Sequence, residues 1–348
     1  MPQQRVVLRE NDSDRHPDSV RILLGVTSGS LPFLHGDRSV LRVLLERRAA
    51  GSTPGERLDD HRVALVIGGG GMRGSYVAGM LHALERAGLC PAFDEVYGSS
   101  SGAISAAAFL TGEAAACAAC YPEDLCTRAF IDMRRLRSGR PVVNLSLLLD
   151  DVLGGRKPLA WERLGHTAGA MHVVATDTAD LTAHTLTGME SVADWRVVLQ
   201  ASASIPLLAG PPVAWGGRHW VDGSVGEPLA IERALRGGAT HVLVMLCRGA
   251  DDLHHDADAG LSLWARTLDR LVPGLGTVAQ GSRRYGTDLR LVVDGSPLGG
   301  HLCAIGPARS AGVGALTVEQ GPIGDAVRIG DESATAALDA VAAELDPA

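Results

Sequence analysis

A chain of 348 residues with 46% hydrophobic content is long enough to bury a large core, as one elaborated α/β domain or two ordinary ones. Thirty-two Lys and Arg against 40 Asp and Glu leave a net charge of -8, a long-range field that disfavours nucleic acid and anionic surfaces. The N-terminus carries Arg5, Arg9, Glu10 and Asp12 in place of an apolar signal core, nothing approaches the roughly 18 apolar residues of a membrane span, and the cysteines are sparse; a cytoplasmic protein without a disulfide framework is expected.

Residues 1–60 are rich in Arg, Asp, Ser and Pro, and only Leu41 to Leu45 has helical apolar spacing, so they read as an N-terminal extension, partly disordered or accessory. From Val63 the pattern becomes regular, and residues 61–348 read as the main domain. Val63-Ala64-Leu65-Val66-Ile67 is a strand that stops at four glycines and leads into helical periodicity from Tyr76 to Ala87. Glu95-Val96-Tyr97 is a short strand, followed by a Gly/Ser turn and a helix from Ala103 to Leu110.

Met171 to Thr176 and His241 to Leu246 are further strands of the fully buried kind. Between them, Pro212 to Trp215 and Arg218 to Val221 flank Gly216-Gly217, a two-residue hairpin signal that delivers Asp222 and Gly223 at its end. A terminal helix is expected from about Ala334 to Leu345. Strands alternating with helices imply a mostly parallel sheet covered on both sides.

Several clusters invite a function and read more plainly as structure. Cys117, Cys120 and Cys126 lack a fourth zinc ligand nearby and read as thiols on an Ala-rich helix. Arg134, Arg135, Arg137 and Arg140 read as a solvated basic face, and Asp251 to Asp258, with His254-His255-Asp256, as a polar loop. Trp161, Trp195, Trp215, Trp220 and Trp264 read as core or pocket wall.

The chemistry concentrates in three places. In Gly98-Ser99-Ser100-Ser101-Gly102 the central serine sits on a sharp strand-to-helix turn, where Gly98 and Gly102 let strand and helix pass closely and the helix N-terminus lies beneath any developing negative charge. Gly68 to Gly74 follows a strand and precedes a helix, and its consecutive glycines can turn backbone N–H groups toward one anion. Gly69-x-Gly71-x-x-Gly74 also satisfies dinucleotide spacing, which would make the chain an oxidoreductase, but Asp94 and Glu95 stand at the start of their strand, the wrong end to hold a ribose.

An oxyanion loop better explains why a serine elbow follows the very next strand. The base for Ser100 has two readings. The chain order Ser100, Asp222, then His241, His254, His255 or His301 permits a triad, whereas Asp222 before a bendable Gly223 permits a carboxylate acting directly.

These elements in this order resemble the patatin-like phospholipases, a family of lipid acyl hydrolases. The resemblance is carried by Gly69-Gly70-Gly71-Met72-Arg73-Gly74, Gly98 to Gly102, Ala201-Ser202-Ala203-Ser204-Ile205-Pro206 and Asp222-Gly223, and spans about residues 61 to 250. It implies a three-layer α/β/α fold with a mostly parallel central sheet, and a Ser-Asp dyad with Ser100 as nucleophile and Asp222 as general base. It further implies an oxyanion hole at Gly69, Gly70, Gly71 and Arg73, motif support from Gly74, Gly98, Gly102 and Gly223, and no metal or organic cofactor.

The implied partner is a lipid or lipid-like acyl ester, with a peripheral membrane contact and no nucleic acid; some family members transfer acyl groups instead. One departure stands out: Ser224 occupies a position where the family commonly has a second glycine, which puts the angle of the base loop in question.

Overall fold

The run Val63–Ile67 is buried at every position, as a strand must be when helices cover both faces of its sheet. Its alternate side chains enter two cores: Val63, Leu65 and Ile67 face one, Ala64 and Val66 the other. The protein is described here from a computed structural model covering residues 31–167, 169–249, 263–278 and 282–345, so the candidate bases His254 and His255, with the polar loop around them, lie outside the described residues.

In chain order the described strands are β1 (Leu34–Gly36), β2 (Val63–Ile67), β3 (Glu95–Ser99), β4 (Ala170–Asp177), β5 (Ala183–Leu186), β6 (Val213–Trp215), β7 (Arg218–Asp222), β8 (His241–Met245) and β9 (His301–Ile305). They form one sheet in the order β1-β9-β8-β2-β3-β4-β7-β6, with β5 also on β4. The central five, from β9 to β4, are parallel, and β1, β5, β6 and β7 are antiparallel additions.

On one face lie the helices Ser39–Ala49, Gly74–Arg86, Ser101–Thr111, Val192–Ala203 and Gln320–Leu345; on the other lie Ile231–Arg236 and Ser282–Asp294. This is a three-layer α/β/α arrangement with a mostly parallel sheet. No helix among the described residues is long and apolar enough to cross a membrane.

The hairpin forms where Gly216-Gly217 places it, and both glycines take positive φ, 56° and 78°, as the tight turn between right-twisted strands requires. The terminal helix is longer than its periodicity predicts, running over Gln320–Leu345. Gly330 and Gly79 explain why: a Cβ on either would strike the backbone of the opposite helix, at Tyr76 and Val327 respectively, so the two helices cross with their main chains in contact.

Within the segment read as an extension, β1 adds to the edge of β9, and the helix Ser39–Ala49 buries Val40, Leu41 and Leu44 completely. Arg47 on that helix is only 2% exposed. Its guanidinium donates to Asp59 (2.8 and 2.9 Å), Asp94 (2.8 Å) and the carbonyls of Ala92 (2.8 Å) and His61 (2.6 Å). Asp94 also accepts from Arg57 (2.7 Å), and Glu95 pairs with Arg62, so the two acids at the start of β3 serve an ion-pair network at the edge away from the glycine loop.

Candidate active site

Parallel strands present their C-terminal ends to one edge of the sheet, and the glycine loop after β2 and the serine turn after β3 therefore meet there. Ser100 sits between β3 and the helix Ser101–Thr111 at φ 55° and ψ -132°, a region that residues with a Cβ rarely occupy. Such a conformation persists only where its surroundings impose it, and here they do. The Ser100 N–H donates to both the carbonyl (3.1 Å) and the hydroxyl (3.0 Å) of Ser202, whose own hydroxyl donates to the Val174 carbonyl at 2.6 Å.

Behind the turn the space is filled. A Cβ on Gly102 would lie 2.5 Å from the Ile67 carbonyl oxygen, and one on Gly69 would lie 2.6 Å from the Ser100 Cβ. The helix beginning at Ser101 is almost wholly buried and rich in alanine, which lets it sit close under the sheet. Its N-terminus directs the positive end of its dipole toward the turn.

In the glycine loop the N–H groups divide into two sets. The Gly70 N–H donates to Ser101 Oγ (3.1 Å) and the Met72 N–H to the Ala315 carbonyl (3.0 Å), so both are committed to holding the loop. The Gly69 and Gly71 N–H groups have no hydrogen-bond partner among the described residues. Nor has the buried Nε of Arg73. Cys247, just beyond β8, supports the loop from the next strand by donating its thiol to the Gly69 carbonyl at 3.1 Å.

Asp222 ends β7 opposite Ala175 of β4 and is 1% exposed. Its backbone N–H donates to the Ser204 carbonyl (2.8 Å), and its carbonyl accepts from Thr176 Oγ1 (2.9 Å). Burial pushes the carboxyl above the ordinary aspartate range, while the Ser100 side chain and then Ser224 favour the ionised form and oppose that shift. Ser224 is the residue that departs from the family pattern. Its hydroxyl (2.5 Å) and N–H (2.9 Å) both donate to Asp222 Oδ1, so the loop angle is set by a two-point cap.

The sequence-predicted residues Ser100, Asp222, Gly69, Gly70, Gly71, Arg73, Gly74, Gly98, Gly102 and Gly223 thus lie at the strand ends, turns and helix starts that converge at this edge of the sheet. His241 and His301 do not: they open β8 and β9 at the opposite ends of those strands, stacked with ring centroids 4.5 Å apart. Burial, with the charges of His61 and His301, lowers the His241 imidazole to about 4. Cys117 and Cys120 are buried free thiols that burial pushes up to about 11 and about 12.

Four residues that sequence reasoning gave no role belong to the site's frame: Ser101, Ser202, Ser204 and Cys247. Ser202 lies in the last turn of the helix Val192–Ala203 and Ser204 is its extended C-cap, so a single short segment fixes the backbone of both Ser100 and Asp222.

Residues 65–235 match the model of a family described as Patatin-like phospholipase. An uncharacterised protein of Escherichia coli (strain K12), YjjU, is 27% identical over 187 residues, 53% of this chain and 51% of its own, so the chain spans about half the length of the curated relative it matches. Among solved structures, VipD from Legionella pneumophila aligns over 81% of this chain and 67% of its own at 14% identity, with a TM-score of 0.43. Human GIVD cytosolic phospholipase A2, solved with methyl gamma-linolenyl fluorophosphonate, aligns over 93% of this chain and 62% of its own at 12% identity, with a TM-score of 0.44.

Proposed function

Through residues 65–235 the chain belongs to the patatin-like phospholipase family, and on that premise we propose that it is a serine-dependent lipid acyl hydrolase working through Ser100 and Asp222. The observation that carries this reading is the meeting, at one edge of the sheet, of a serine in a strained turn, its amide doubly tethered, and a buried carboxylate whose charged form the Ser100 side chain favours. A carboxylate raised by burial is a stronger base than one in water, and it needs no imidazole as intermediary.

In the proposed reaction Asp222 takes the Ser100 proton as Oγ attacks the ester carbonyl. The tetrahedral oxyanion is met by the unpartnered N–H groups of Gly69 and Gly71, with Arg73 and the N-terminus of the helix Ser101–Thr111 adding positive potential. Gly70 holds the loop through Ser101. Protonated Asp222 then returns the proton to the leaving alcohol; water, deprotonated in turn by Asp222, attacks the acyl-enzyme, and Asp222 passes that proton to Ser100 Oγ as the acid departs.

The test is turnover of a panel of acyl esters and phospholipids, with labelling by a serine-directed fluorophosphonate. Ser100→Ala abolishes both. Labelling that survives in this variant, or turnover within about tenfold of the parent, removes Ser100 from the reaction.

A further inference from the structure

Residues 128–140 run against the charge of the whole chain: five arginines, at 128, 134, 135, 137 and 140, and one aspartate, Asp132, give a local excess of four positive charges in a protein of net charge -8. Two of the arginines are occupied. Arg135 donates to the carbonyls of Phe130 (3.2 Å), Val142 (3.1 Å), Arg128 (3.1 Å) and Ala129 (2.6 Å), and so staples the turn Met133–Ser138 into shape; Arg134 pairs with Asp132 at 2.9 Å. Arg128, Arg137 and Arg140 are exposed and have no ion-pair partner among the described residues.

The same surface is apolar. Met133 is 55% exposed, Leu136 41% and Leu207 36%, three of the seven exposed large hydrophobic side chains among the described residues. Leu207 joins the turn through the chain that pairs with it: the N–H groups of Val142 and Val143 donate to the carbonyls of Leu207 (3.4 Å) and Leu208 (2.7 Å). It is held at φ 69°, which a bulky side chain resists. Three residues before it stands Ser204, whose carbonyl fixes the backbone of Asp222. The patch is therefore tied to the edge of the sheet that carries the candidate base.

Aliphatic side chains interleaved with unpaired arginines suit a boundary between hydrocarbon and phosphate, where the apolar groups leave water and the guanidiniums meet headgroups. A nucleic-acid surface would call for aromatic side chains to stack on, and this patch has none exposed. We propose that the turn Met133–Ser138 with Leu207 is the surface on which the protein settles on an anionic bilayer, Met133, Leu136 and Leu207 entering the acyl boundary while Arg128, Arg137 and Arg140 engage lipid phosphates. As the approach of an enzyme to its substrate this rests on the hydrolase reading, but the binding itself does not.

The experiment uses the full chain carrying Ser100→Ala, so that no lipid is consumed, and co-sedimentation with vesicles of phosphatidylcholine alone or with phosphatidylglycerol. Binding is expected to the anionic vesicles and to weaken with salt. Arg128→Gln, Arg137→Gln and Arg140→Gln together lower the partition coefficient about 100-fold, at about fivefold per charge. Met133→Ser with Leu136→Ser lowers it about tenfold without changing the salt dependence.

In the parent background both sets retain turnover of a short soluble ester, which shows that they fold. Equal binding to neutral and anionic vesicles, an unchanged arginine variant, an unchanged Met/Leu variant, or binding to RNA but not to vesicles each overturns the proposal. Vesicle binding by a protein whose parent hydrolyses no ester would sink the catalytic reading and leave this one standing; an active esterase that ignores anionic vesicles would do the reverse.

Discussion

Replacing Ser202 with alanine isolates what the tether does for Ser100. The Ser202 hydroxyl is wholly buried, accepts from the Ser100 N–H and donates to the Val174 carbonyl, so the change removes two buried hydrogen bonds without adding volume. At about 1 kcal/mol net for each, the fold loses about 2 kcal/mol. Ser100 holds a backbone conformation that costs about 1 to 3 kcal/mol, and with only the Ser202 carbonyl left to restrain it, part of that strain relaxes. A loss of about 1.4 kcal/mol of positioning corresponds to a tenfold fall in kcat.

Urea denaturation and steady-state turnover of a soluble ester measure the two effects separately. Ser105→Ala is the comparison: it deletes a hydroxyl that is also buried, on the helix Ser101–Thr111 that follows the turn but outside the tether, and it is expected to shift the urea midpoint while leaving kcat intact. Should Ser202→Ala lower the midpoint and keep full kcat, the tether would not be what holds Ser100 in its working position.

Asp222 gives a prediction with opposite signs in two assays. Because burial raises its carboxyl, the acid limb of the kcat/KM profile lies above the ordinary value of 3.8, and because a raised acid loses folding stability as pH rises through its folded pKa, the ionised group destabilises the protein at neutral pH. Asp222→Asn therefore lowers turnover by at least about 10²-fold while raising the melting temperature at pH 7; a lowered melting temperature would show that the carboxylate is a net structural support. Arg47→Met leaves Asp59 and Asp94 without their buried partner and costs about 3 to 5 kcal/mol by urea denaturation, whereas a loss under about 1 kcal/mol would mean the network contributes little.

What could be read from the sequence was what neighbours in the chain decide. Val63–Ile67, the Gly216-Gly217 hairpin and the serine turn all carry their reasons within a few residues, and all form where their patterns place them. The helix Gln320–Leu345 was legible only in its second half, because Pro322 and the glycines at 321, 324 and 330 look like breakers. Pro322 lies in the first turn, where no N–H is required, and Gly330 is there to let another main chain approach.

Arg47 looked like one more charge in a polar extension, since its carboxylate partners stand 12 and 47 residues away. The roles of Ser202 and Ser204 were illegible for the same cause. The motif that contains them could be recognised, but their hydrogen bonds reach back 102 residues to Ser100 and forward to Asp222, distances at which spacing says nothing.

That one segment grips both residues bears on how such a protein can be remodelled. The gap between Ser100 and Asp222 is gauged by the stretch from Ser202 to Ser204, not by the hairpin that brings Asp222 into place or by the loop over Gly69. The tip at Gly216-Gly217 can then be lengthened, or exchanged for a sequence that reshapes the rim, without resetting the spacing of Ser100 and Asp222. Insertions between Ala201 and Ile205 have no such freedom, and library design on this scaffold has its fixed jig and its adjustable rim marked out in advance.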